Sequence, residues 1–329
     1  MTGGPTNPLD RLQCFQRPRM TRCFDRRWGG FTLIAQLALT ASPIAHLGAQ
    51  DTPFRLEVKL VNVFVGATDR NGTIVGGLTR NDFSLTEDGR AQQIAVFERQ
   101  SDLPLNLTLA IDTSESVAKD LAVEQHAARR FVRAVLRPQD HIGLLGFASA
   151  VWELTPLTNN VNKIERGIAQ LRGGGGTAFY DAIVLGSKQL GRQRGRKVLI
   201  VVSDGDDTVK GATYAQALEQ ALRNEVMIYC LIDVPIEASA GRDLRGEHAL
   251  ITLAEETGGK SFYVSADGLD KTFAQVSEDL RTQYFLAYYP HNQEPGTSFH
   301  RIQLTIPKAA ANSLNIRYRT GYYSDSPDR

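Results

Sequence analysis

Cysteine is scarce in this chain, with three in 329 residues. Cys14 and Cys23 lie in the first 49 residues, and Cys230 stands alone inside VMIYCLIDV, where a single thiol reads as a small buried hydrophobe. That excludes a disulfide framework and a cysteine-based metal centre from the rest of the chain. Histidine is also sparse: six are scattered along the sequence, none paired at metal-binding spacing. His126 and His141 read as a surface residue and a strand start. A charge excess is missing too, since 37 Lys and Arg face 36 Asp and Glu for a net +1. The first 49 residues hold six arginines against two aspartates, so they carry +4 and leave −3 for the remainder. A mildly acidic body without a basic stripe gives no electrostatic reason to expect a nucleic-acid partner.

A long apolar run is absent as well. FTLIAQLALTASPIAHLGAQ is interrupted by Gln36 and Pro43, too short for a comfortable spanning helix. With arginines before it and Ala49 at its end, residues 1–49 read as a secretory signal peptide. Met20 offers an alternative start, after which TRCFDRRWGG is a leader of ordinary length; RRWGGF faintly matches a twin-arginine signal. The expectation is a secreted or periplasmic protein with no stable membrane span after cleavage, and a membrane-anchored one if the leader stays.

What is present is globular in composition: 42% hydrophobic and 22% charged. Residues 50–101 alternate with period two and are punctuated by NG, GG and DG, which predicts a small β-sandwich-like module. From 102 to 290 continuous apolar runs (LNLTLAID, KVLIVVSDG, VMIYCLIDV) alternate with helical patterns. This predicts an α/β domain, doubly wound on a mostly parallel, Rossmann-like sheet. Residues 291–329 hold a polar loop and β-strands. Two strands alone make no stable sheet, so they either extend the edge of the α/β sheet or complete the N-terminal module, and the small size of that module favours the second.

Open α/β sheets bind ligands beyond the carboxyl ends of their strands. Three segments arrive there: IDTSES after the first strand, GGGGTAFYDAI before a helix, and VVSDGDD after another strand. Together they bring Asp112, Ser114, Ser116, Thr177 and Asp204, two carboxylates and three hydroxyls. Oxygen-only donors suit a hard divalent cation such as Mg²⁺, which keeps several waters and needs few protein charges. The plainer reading makes Ser114 and Ser116 helix caps, Thr177 a loop hydroxyl and Asp204 a turn former. GGGGTAFYDA lacks the Lys-Ser/Thr ending of a phosphate loop, and RQRGRK reads as a solvated helix end.

These three segments resemble the metal-ion-dependent adhesion site of von Willebrand factor type A domains. In that family the equivalents of Asp112, Ser114, Ser116, Thr177 and Asp204 hold Mg²⁺ or Mn²⁺ directly or through water. The flanking stretches, LVNVFVGATDRNGTIVGGLTRNDFSLTEDG before and RIQLTIP and YRTGYY after, resemble the narrower von Willebrand factor A-related group abundant in acidobacteria. Asp206, Asp207 and Glu115 add acid near the motif, which either raises cation affinity or admits Ca²⁺.

The resemblance implies an exported protein-binding module, not an enzyme. A partner protein supplies an exposed Asp or Glu to an open position on the cation. The competing expectations are a metal-assisted hydrolase and a structural envelope component with a vestigial site. Hydrolysis needs a base or nucleophile beside the cation, and Glu115 is the sole nearby candidate.

Overall fold

The computed structural model describes residues 60–99, 102–117, 119–233, 244–265, 268–291, 298–307 and 314–324. The expected signal peptide lies outside them. Among the described residues, no helix is long and apolar enough to cross a membrane.

The larger sheet is built from β5 (Leu105–Asp112), β6 (His141–Phe147), β7 (Val151–Thr158), β8 (Arg196–Ser203), β9 (Val226–Asp233) and β10 (Lys260–Val264). Its order is β10-β9-β8-β5-β6-β7, parallel except for the β6–β7 edge pair. Every residue of β5, β8 and β9 is buried, because helices cover both faces. On one face α1 (Leu121–Val135), α2 (Val161–Ile168) and α6 (Leu269–Thr282) pack over Leu107, Leu109, Val198, Ile200 and Tyr229. On the other, α3 (Phe179–Leu190), α4 (Tyr214–Arg223) and α5 (Leu244–Glu256) cover Ala110, Leu199, Val201, Ile228 and Cys230. Alternate residues of one strand thus feed two cores, which explains the unbroken apolar runs.

The remaining strands form two antiparallel sheets around a third core, a β-sandwich. One sheet has the order β13-β1-β11-β4, from Leu314–Arg317, Val61–Asp69, Tyr284–Tyr288 and Ile94–Arg99. The other has the order β14-β12-β2-β3, from Gly321–Tyr323, Phe299–Thr305, Ser84–Glu87 and Arg90–Gln92. The C-terminal strands therefore pair directly with N-terminal ones, β13 on β1 and β12 on β2.

One strand departs from the sequence reading, which ran the α/β region to residue 290. β11 lies in the sandwich between β1 and β4 and takes no place in the parallel sheet. All five of its residues are buried, the same signature as a parallel core strand. The burial has another cause here. Tyr284, Leu286 and Tyr288 face the sandwich core, while Phe285 packs on Phe64 at 5.2 Å. Phe64 in turn lies under the Arg196 guanidinium, 5.0 Å from the ring centre, where the sandwich meets the start of β8.

Candidate metal centre

β5 and β8 end side by side, so Asp112 and Ser203 are neighbours at the carboxyl edge. The Ser203 hydroxyl donates to Asp112 Oδ2 at 2.6 Å, and the Ser114 amide donates to Oδ1 at 2.9 Å. Asp112 is fully buried and held at both oxygens. The Ser114 and Ser116 hydroxyls sit 3.0 Å apart, Ser114 buried and Ser116 exposed.

The loop before α3 is tied to this first loop by its backbone. Gly174 N–H donates to Thr113 O at 2.7 Å, and Glu115 N–H donates to Gly175 O at 3.1 Å. Gly175 has a φ of +85°, and a Cβ there would meet Ser149 Oγ at 2.5 Å, so this crossing of chains requires glycine. Thr177 follows, buried, its amide donating to Thr208 Oγ1 at 2.7 Å. Among the described residues its hydroxyl has no hydrogen-bond partner. Asp204, half-buried, accepts from Asp206 N at 3.3 Å through Oδ1 alone.

The capping alternative fails for the serines. α1 begins at Leu121 behind Asp120, five residues beyond Ser116, with no side-chain cap bond. α3 is capped from elsewhere: Asp207 Oδ1 accepts from Phe179 N at 2.9 Å and Tyr180 N at 3.4 Å. Asp207 is therefore engaged at a helix N-terminus, where backbone amides favour an anion. Asp204 does make the turn expected of it, but that occupies one oxygen of two.

Electrostatics set the character of the edge. Burial pushes the Asp112 carboxyl up to about 6; the Ser203 and Ser114 bonds pull it down and the Asp204 charge raises it again. Glu124, on the first turn of α1, is driven to about 9 by burial and then by the charges of Asp233, Asp112 and Asp120. Its Oε2 is buried without a hydrogen-bond partner among the described residues. Asp233, at the end of β9, is likewise raised by burial and by Asp120 and Asp204. The edge carries several carboxylates and hydroxyls, chemistry that suits a hard cation. Ser203, Thr208 and Ser149 escape the sequence reading because each is an unremarkable hydroxyl until the fold sets it beside its partner. Glu124 was hidden in the apolar stripe pattern of α1.

Fold and edge chemistry together define a doubly wound α/β domain with an oxygen-rich edge at the carboxyl ends of its strands. The family model of the von Willebrand factor type A domain matches residues 107–206, from β5 through the loop after β8, and the chain carries such a domain. No curated protein matches it in sequence. Among solved structures, it is similar to a von Willebrand factor type A protein from Catenulispora acidiphila. That match has 11% identity and a TM-score of 0.49, and covers 81% of this chain and 75% of the other. An aerotolerance-related membrane protein from Bacteroides fragilis matches at 19% identity and TM-score 0.43, over 54% and 98%. The von Willebrand factor domain of the pilus tip protein Mfa5 from Porphyromonas gingivalis matches at 12% and 0.45, over 54% and 94%.

Proposed function

We propose that this is an exported protein-binding module whose type A domain captures a partner protein through a divalent cation. Asp112, Ser114, Ser116, Thr177 and Asp204 hold the ion, of the Mg²⁺ or Mn²⁺ class with Ca²⁺ also tolerated. When bound, the ion supplies a Lewis-acidic position for an acidic side chain of the partner. The observation that carries this reading is the set of uncommitted oxygens at the edge. The serine pair caps no helix, and Thr177 Oγ1 and Asp204 Oδ2 have no partner among the described residues. The buried Asp112 carboxylate, crowded by other acids, fits a site that gains from positive charge.

The chain's own part is positioning. Ser203 and the Ser114 amide lock both Asp112 oxygens, and the glycine crossing holds the Thr177 loop against the first loop. Glu115, the candidate base, is exposed with its backbone bound to Gly175, and catalysis has no place in the proposal.

Isothermal titration of Mg²⁺, Mn²⁺ and Ca²⁺ tests the site, paired with capture of envelope proteins with and without EDTA. Asp112→Ala should lose at least about 100-fold in cation affinity, beyond the 10–100-fold typical of an outer partner. Thr177→Ala should lose less affinity for the ion and more for the partner. A folded Asp112→Ala variant binding cation like the wild type would reduce IDTSES to ordinary loop chemistry. Loss of both, with no cation binding and no EDTA-sensitive capture, would favour the envelope-component reading.

A further inference from the structure

A second group of metal-type ligands lies in the β-sandwich, at the other end of the molecule from Asp112. The sandwich meets the start of β8 through Arg196 and Phe64, whereas the type A site lies beyond the carboxyl ends of β5 and β8. β2 and β3 are joined by Asp88 and Gly89, with φ of +48° and +79°, the two left-handed positions of a type I′ hairpin. The tight turn sets Glu87 and Asp88 together, and β12 pairs with β2 so that His300 arrives beside them. His300 Nδ1 is 2.8 Å from Asp88 Oδ2, and one ligand atom from each of Glu87, Asp88 and His300 lies within 4.8 Å of the others.

Each donor is oriented by its own partners. Glu87 is 3% exposed, and its Oε2 receives Tyr288 OH at 2.6 Å and Tyr322 OH at 2.9 Å. Its Oε1 has no partner among the described residues. Asp88 Oδ1 accepts from Arg301 N at 2.8 Å, which leaves Oδ2 toward the imidazole. The His300 ring is buried, stacks on Tyr322 at 5.1 Å and has Nε2 3.1 Å from Ser298 Oγ. Nε2 faces Ser298, Nδ1 faces the carboxylates, and in the metal-free chain Nδ1–H donates to Asp88 Oδ2.

We propose that Glu87, Asp88 and His300 form a site for a first-row divalent metal, with Zn²⁺ the best match, that staples the β2–β3 turn to β12. One imidazole with two carboxylates is a three-ligand zinc set, with water completing the tetrahedron. The imidazole selects against Mg²⁺ and Ca²⁺, so the chemistry is distinct from that at Asp112. Phenols on Glu87, a backbone amide on Asp88 and a serine on His300 are the kind of outer partners that fix metal ligands. Zinc bonds of about 2.0–2.1 Å put ligand atoms roughly 3.4 Å apart, so binding opens the 2.8 Å contact between His300 Nδ1 and Asp88 Oδ2 and replaces the proton between them. The order Ser298–His300–Asp88 is also that of a hydrolytic triad. The second carboxylate crowding Nδ1 favours a cation over a general base.

The test is titration of the EDTA-stripped full chain with Zn²⁺ in excess Mg²⁺, with ¹H–¹⁵N spectra of the histidine rings. The expected result is one bound Zn²⁺ with a shift at His300 Nδ1. Affinity should fall at least about 100-fold in Asp88→Asn and His300→Gln and stay within twofold in Asp112→Ala. Asp88→Asn is the decisive variant, because Asn-Gly is favoured in a type I′ turn and preserves the hairpin even where His300→Gln does not fold. Wild-type protein taking up no Zn²⁺, or Asp88→Asn binding it as tightly as wild type, overturns the proposal.

Discussion

Asp112 and Glu124 are acids that folding makes harder to ionise, Asp112 up to about 6 and Glu124 up to about 9, mainly through burial. Both folded values lie above those of the unfolded chain, near 4. The native state therefore holds these protons more tightly than the unfolded state does, and their contribution to stability is present in full at low pH. It is lost as pH rises, from about 4 to 6 for Asp112 and onward to about 9 for Glu124. In EDTA the melting temperature should fall between pH 5 and pH 8. A bound cation favours the ionised carboxylate, so Mg²⁺ should raise the melting temperature more at pH 7 than at pH 5. Thermal unfolding across that range decides it, and a Mg²⁺ effect larger at pH 5 would show that Asp112 does not feel the ion.

At the scale of elements, the site depends on where strands and helices stop. The segment after β5 carries polar residues at helical spacing with the apolar ones, yet α1 begins only at Leu121. Thr113 explains part of that delay: its amide and hydroxyl both donate to Phe147 O, at 2.8 and 3.1 Å, holding the loop to the end of β6. The turn after β8 depends on Gly205, with φ of +87° and a Cβ position 2.8 Å from the Gly246 carbonyl group on α5. Gly205→Ala must accept a left-handed residue, about 1–2 kcal/mol, and push α5 away as well. We expect at least about 2 kcal/mol of destabilisation in urea unfolding, with weaker cation binding because Asp204 precedes the turn. An unchanged midpoint would mean that the turn and α5 move apart at little cost.

At the scale of the whole molecule, sandwich and α/β domain lie within one unit, Leu56–Arg329. A buried polar network joins them. Arg317 on β13 reaches Asp279 on α6 at 2.5 Å and donates to Gly259 O at 2.8 Å. Tyr229 donates to the other Asp279 oxygen at 2.5 Å, and Gln283 bonds both Tyr229 and Arg196. Arg319 adds an ion pair with Glu225. Removing one member of such a pair strands its partner, at about 3–5 kcal/mol. Asp279→Ala should therefore lower stability by that order, and should split one unfolding transition into two if the network couples the domains. A loss under about 1 kcal/mol would place the coupling in apolar contacts such as Phe64 against the α/β core.

The doubly wound sheet was legible because burial on two faces leaves unbroken apolar runs, as in LNLTLAID and KVLIVVSDG. The five oxygen donors could be named because each sits just after a strand or before a helix, and chain order alone puts those ends on one edge. The same local signature misled at YFLAY, where an apolar run marks a strand buried between a sandwich core and a neighbouring domain. Local pattern reports that a face is covered and says nothing about what covers it. Only tertiary structure decided that Ser203 would hold Asp112, that Asp207 would cap α3, and that Glu87, Asp88 and His300 would meet across more than 200 positions of chain. Those contacts depend on the register of strands far apart in sequence, and register is settled by the packing of whole faces against one another.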